Sequence, residues 1–152
     1  MKVYHLRTEQ FVPAQLDEVF AFFAQPENLS RLTPGSLGFE VLTPTPIKMR
    51  AGALIDYAVR PLGFRQFWTT LISEFEPGRM FADVQLRGPY RFWHHTHEFE
   101  TVPGGTRITD TVRYVLPFGW LGRLAHGLFV RRQLDGIFAY RRRVIEEIFR
   151  AA

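Results

Sequence analysis

The stretch FADVQLRGPYRFWHHTHEFE, residues 81–100, carries His94, His95 and His97 in a segment that otherwise reads as two β-strands and a tight turn. Imidazole changes charge near neutral pH, so such residues can move protons, ligate metals or orient a polar ligand. Strand alternation puts His95 and His97 on one face with Trp93 and Phe99, and sends His94 to the other. Acids come within reach from both flanks. If Gly88, Pro89 and Tyr90 form a hairpin loop, Asp83 lies across from His95 and Gln85 across from Trp93; if Pro103-Gly104 is a two-residue loop, His97 lies across from Asp110 and His95 across from Val112. Directly opposed residues have Cβ atoms about 4.5–5.5 Å apart, close enough for imidazole–carboxylate hydrogen bonds.

Four uses fit such a cluster of Asp83, His95, His97 and Asp110. It is a paired polar network that fixes strand register, or it orients the carbonyl, hydroxyl or carboxylate of a ligand in a mostly apolar pocket. As an acid–base site, a carboxylate raises the pKa of its imidazole and poises His95 or His97 for proton transfer. Two imidazoles and a carboxylate are also a permissible metal set, but there is no Cys and no helical His pair, and the expectation is neither metal nor cofactor. No phosphate-binding Gly loop, nucleophile elbow or zincin helix is present.

The elements that must position these groups follow from periodicity. Residues 2–12 alternate as a first strand, and then Leu16, Val19, Phe20 and Phe23 recur at helical spacing after Pro13. A second short helix over 26–34 closes at Pro34. Strands are predicted near 39–43, 52–61, 64–76, 79–87, 91–102 and 105–116, separated by TPTP, PLG, EPG, RGPY and VPGG, the pattern of an antiparallel meander. A long helix over 121–151 follows, with Leu128, Leu134, Phe138, Ile145 and Ile148 among its apolar positions, and with Gly127 and Gly136 marking a bend or a close backbone approach.

A sheet of that many strands must curl, and a helix laid across its concave side leaves a pocket between them. The inward positions would be Tyr57, Trp68, Thr70 and Ile72 on the earlier strands, Trp93, Phe99, Val112 and Tyr114 on the later ones, and Leu134 and Phe138 on the helix. Core packing is the competing reading for these rings. The fold class expected is α+β, with a curved seven-stranded antiparallel sheet around a long C-terminal helix and two short helices after the first strand.

Composition bounds the rest. A chain of 152 residues suits one domain, and 15% aromatic residues, 15 of them Phe, must fill a core or line a cavity. The lack of cysteine excludes disulfides and thiolate chemistry and suits a reducing compartment. With no leader-like segment and no apolar run near the ~20 residues of a bilayer span, a cytoplasmic protein without stable membrane insertion is expected. The net charge of +4 resides entirely in residues 121–152, where Arg123, Arg131, Arg132, Arg141, Arg142, Arg143 and Arg150 outnumber the acids. A solvated helix face explains it; Arg131, Arg132, Arg141 and Arg142 could instead meet an acidic partner or a membrane. LPFGWLGRLAHGLFVRR, 116–132, either gates a cavity mouth or puts Phe118 and Trp120 against a membrane surface. Neither a recognition helix nor a stacking platform is present, so no nucleic-acid partner is expected.

The chain resembles the SRPBCC superfamily of helix-grip proteins, the START-like group that includes polyketide cyclase/dehydrase-like domains. VPAQLDEVFAFFAQPENLSRLTP, FADVQLRGPYRFWHHTHEF, GGTRITDTVRYVLPFGWLG and the IFAYRR of the last helix carry the resemblance, which spans nearly the whole chain. It implies the helix-grip fold and a cavity for a small hydrophobic molecule, with a cyclase- or dehydratase-type enzyme as the alternative. Tyr57, Trp68, Asp83, Gln85, Trp93, His95, His97, Phe99, Asp110, Tyr114, Leu134 and Phe138 are the candidate ligand-binding residues, and no catalytic residue is assigned.

Overall fold

The computed structural model describes residues 1–150; position 151, the end of the predicted long helix, lies outside them. Strand β1 (Tyr4–Val12) leads into α1 (Leu16–Phe23), whose Val19, Phe20 and Phe23 are buried as their spacing requires. The second short helix, Pro26–Leu32, is present and is of the 3-10 type. Its polar side chains compete for the backbone: Asn28 Nδ2 donates to Phe22 O, Ser30 Oγ to Glu27 O and Thr33 Oγ1 to Leu29 O.

Six further strands follow: β2 (Glu40–Val41), β3 (Leu54–Val59), β4 (Gln66–Glu76), β5 (Met80–Arg87), β6 (Phe92–Val102) and β7 (Gly105–Val115). They form one antiparallel sheet in the order β1-β7-β6-β5-β4-β3-β2, so the first strand completes the far edge beside the last. β2 is shorter than predicted, because the prolines that follow it cannot donate to a ladder. Register shifts between β4 and β5 at Thr69/Thr70 and Ile72/Glu74 are bulges that sharpen the sheet's curl.

A helical run of three parts closes the fold: α2 (Gly119–Ala125), a π-turn over His126–Val130, and α3 (Arg131–Ile148). The predicted long helix is thus present as one continuous run of helical backbone, widened locally at the π-turn. An added Cβ at Gly127 or Gly136 would meet nothing within 4 Å, so neither glycine marks a close approach; Gly127 falls in the π-turn. Leu128, expected to pack inward, is 69% exposed.

Leu134 of α3 packs with Trp93, Val112 and Tyr114, whereas Ile145, three turns later, packs with α1 and with Phe81 and Phe99. A third apolar cluster, Ala53, Ile55, Tyr57 and Ile72, belongs to β3 and β4. These clusters are separate because an open space lies among them.

Candidate functional site

That space is a cavity of about 1100 Å³ between the sheet and the helical run. Trp68, Trp93, Leu134 and Phe138 line it, as do Thr70 and Ile72, and the two indole rings meet edge to face at 5.3 Å. Tyr57 completes the β3 wall, and burial, reinforced by the charge of Asp83, pushes its hydroxyl pKa up, so it is a neutral donor.

Asp83, His95, His97 and Arg141 form a cluster of acidic and basic groups in the lining. Their meeting follows from register. Asp83 pairs with His95, His97 with Asp110, and His95 with Val112, as the loop lengths imply. His97 Nε2 is 2.8 Å from Asp83 Oδ2, and His95 Nε2 is 2.8 Å from Asp110 Oδ1. The two imidazoles stack, with centroids 3.7 Å apart, and the far face of His97 lies on Phe81 at 4.2 Å. His94 sits on the other face, where Arg113 Nη2 is 3.5 Å from its Nδ1.

Arg141 corrects the sequence reading. It is 6% exposed rather than part of a solvated basic face, and its Nη2 donates to Asp110 Oδ1 at 3.3 Å. Its guanidinium also lies over Phe23 at 5.2 Å and Phe138 at 5.9 Å. The signal was present: Arg141 stands in the apolar helical row of Leu134, Phe138 and Ile145.

The electrostatics separate two otherwise similar histidines. Burial opposes charge on His97, but the close Asp110 carboxylate and the hydrogen bond and charge of Asp83 outweigh it, and its pKa is raised. Burial and the neighbouring His97 hold His95 below its ordinary value despite Asp110. Burial also opposes ionisation of Asp110, but Arg141 and then the two imidazoles pull its carboxyl well below the usual range. Asp83 is lowered against burial chiefly by its hydrogen bond from His97. Arg141 and two carboxylates thus surround a pair of imidazoles of opposite bias, His97 towards its charged form and His95 towards its neutral form. His97 Nδ1 lies 3.2 Å from Asp110 Oδ1 but out of line for a hydrogen bond, and among the described residues it has no other partner. Asp83, His95 and His97 could each offer a ligand atom to a metal, all within 4.8 Å of one another. The adjacent Arg141 cation works against that use.

Four expected lining residues do not reach the cavity. Phe99 packs on Phe20 with centroids 5.1 Å apart, because α1 covers its end of the sheet. Tyr114 is fully buried, with its hydroxyl 2.7 Å from His126 Nε2. Asp110 stands behind the histidines, facing a smaller pocket of about 150 Å³ between β1 and α3. Gln85 holds the β5–β6 loop instead of pairing with Trp93: its Nε2 donates to Tyr90 O at 2.7 Å and its Oε1 accepts from Tyr90 N at 3.1 Å, and the ladder ends at Val84–His94. Lining residues not anticipated include Arg141, Phe81 and Tyr90, together with Leu62 and Phe64 of the β3–β4 loop.

A family model described as "Polyketide cyclase / dehydrase and lipid transport" matches residues 12–137. No curated protein matches the sequence. Among solved structures, a protein of Chromobacterium violaceum superposes with a TM-score of 0.74 at 12% identity, covering 97% of this chain and 98% of its own. Ginseng major latex-like protein 151 from Panax ginseng has a TM-score of 0.70 at 10% identity, covering 98% and 99%. A nucleoside-diphosphate sugar epimerase from Corynebacterium glutamicum is 27% identical with a TM-score of 0.68, covering 93% of this chain but 28% of its own length. These likenesses show the helix-grip fold.

Proposed function

Because the chain belongs to the polyketide cyclase / dehydrase and lipid transport family, we propose that it acts as one binding domain for a small, largely apolar molecule, aromatic, polyketide-like or lipid-like. The observation that carries this reading is a buried cluster of His95, His97, Asp83, Asp110 and Arg141 at the wall of a mostly apolar cavity of about 1100 Å³. Trp68, Trp93, Leu134 and Phe138 supply contact area for the apolar body. Asp83, His95 and His97, with Tyr57 nearby, orient its polar end, while Asp110 and Arg141 hold the imidazoles in place. Binding needs no cofactor, metal or nucleic acid.

Native mass spectrometry of protein purified from its own host, with solvent extraction of what it carries, tests this. One organic molecule per chain is the expected result. A metal at one per chain, or a chain that emerges empty and takes up no apolar fluorescent probe, would sink the proposal.

A cyclase- or dehydratase-type reaction is the second reading, favoured by one feature: neighbouring imidazoles whose pKa values are driven apart, His97 up and His95 down. Such a pair could supply one proton donor and one acceptor to a bound ligand. Activity lost in His95→Ala and His97→Ala with affinity retained would favour it, whereas affinity lost alone would favour binding.

A further inference from the structure

The cavity's mouth is identified by side chains that both line it and face solvent: Leu62 and Phe64 of the β3–β4 loop, and Phe118, Leu121, Leu128 and Phe129 of the helical run. Trp120, 66% exposed, and Leu124, 54% exposed, add exposed apolar surface on α2 outside the cavity lining. Isolated exposed apolar residues are ordinary, but a continuous patch marks a surface that something covers. Phe118 is the only non-glycine residue with positive φ, 67°, among the described residues, and this left-handed turn accompanies a ring that is 80% exposed.

The segments that carry or adjoin these side chains hold arginine and no acid. Residues 60–65 carry Arg60 and Arg65, residues 87–91 carry Arg87 and Arg91, and residues 116–134 carry Arg123, Arg131 and Arg132, with no acid in any of the three segments. Two of these guanidiniums have partners outside their segments, Arg65 with Glu40 and Arg131 with Asp135, both at 3.3 Å. Among the described residues, Arg60, Arg87, Arg91, Arg123 and Arg132 are exposed and form no ion pair. Exposed apolar side chains with arginines in the same or adjoining segments complement the acyl and phosphate layers of an anionic bilayer.

We propose that the mouth docks on an anionic phospholipid surface, with Phe118, Trp120, Leu121 and Leu124 entering the interface and these arginines meeting lipid phosphates. Trp120 suits the depth at which indoles settle. Docked this way, the cavity faces the acyl region, and an apolar cargo passes between them without crossing water. That passage rests on the binding function proposed above; the docking itself does not.

The test is co-sedimentation of the full chain with vesicles of phosphatidylcholine alone and of phosphatidylcholine mixed with phosphatidylglycerol. Binding is expected only to the mixed vesicles, weakening as salt screens the arginines. Trp120→Ala with Leu124→Ala should lower the partition coefficient by about tenfold or more, from the apolar area lost to the interface. Arg123→Glu with Arg132→Glu should weaken low-salt binding and flatten its salt dependence. All four side chains are exposed and none lines the cavity, so far-UV circular dichroism and uptake of an apolar probe should remain unchanged. No binding to the mixed vesicles at low salt, equal binding to both vesicle types, or a double-alanine variant that binds like the parent would each overturn the proposal. So would a stable dimer that the same double-alanine change dissociates, because the face would then be a protein interface. Docking lost with probe uptake intact removes this inference alone; probe uptake lost with docking intact removes the binding function alone.

Discussion

At the scale of residues, Asp110 Oδ1 is the point on which the polar cluster converges, taking His95 Nε2 at 2.8 Å and Arg141 Nη2 at 3.3 Å. Removing one member of a buried charged set strands the others, so Asp110→Ala is expected to destabilise the fold by roughly 3–5 kcal/mol in urea denaturation. A loss below about 1 kcal/mol would mean that water already solvates the cluster. The histidines give a pH signature. His97 holds its proton more tightly folded than unfolded, so its contribution is fully present below the unfolded value of about 6.5 and is lost as pH rises through its higher folded value. His95 has the opposite sign: kept neutral by burial, it works against folding as pH falls below about 6.5. Asp110 contributes stability above about pH 3.9 that is lost as pH falls through its depressed folded value. Two-dimensional NMR titration should therefore find the two imidazoles displaced from the ordinary value in opposite directions, and coincident titrations would contradict this assignment.

At the scale of elements, local backbone chemistry decides where substitutions are tolerated. Gly136 lies inside α3 with open space where a Cβ would go, so Gly136→Ala should raise stability by about 0.5–1 kcal/mol. Gly122 and Gly105 are opposite cases. An added Cβ would come within 2.1 Å of Pro117 O at Gly122 and of Val12 O at Gly105, backbone atoms that cannot swing aside. Both alanine variants should lower the thermal midpoint, Gly122→Ala despite alanine's better helix propensity; an unchanged midpoint would show that the α2–β7 junction is soft. Loop length did the most for the site. The two-residue turn between β6 and β7, with Gly104 at φ 85°, fixes His97 against Asp110, and a slip of one residue would have sent the imidazoles to the outer face.

At the scale of the whole molecule, a cavity this large leaves the core divided into three clusters joined across open space. Occupancy should then matter for stability. An apolar ligand at ~100 times its Kd adds about 2.7 kcal/mol, so protein stripped by organic extraction should melt measurably lower than protein carrying its cargo. Scanning calorimetry before and after extraction checks this, and identical transitions would argue that the cavity is empty in both samples. Trp93→Ala should enlarge the pocket and weaken uptake of a flat aromatic probe while leaving the sheet's circular dichroism intact.

The sequence by itself determined the strand order along the chain, the inward face of β6 and β7, and the meeting of Asp83, His95, His97 and Asp110, because alternation and turn length are short-range properties written in consecutive residues. It also held the position of Arg141 in an apolar helical row, although charge alone suggested solvent. Only the tertiary structure decided which rings border empty space. Phe99 and Trp93 share a strand face and are both buried, yet one is covered by α1 and the other opens on the cavity. That difference depends on where α1 and α3 lie over the sheet, a long-range packing outcome that no local period encodes. The π-turn at His126–Val130 within the last helix, with Leu128 and Phe129 at the mouth, was settled at the same level.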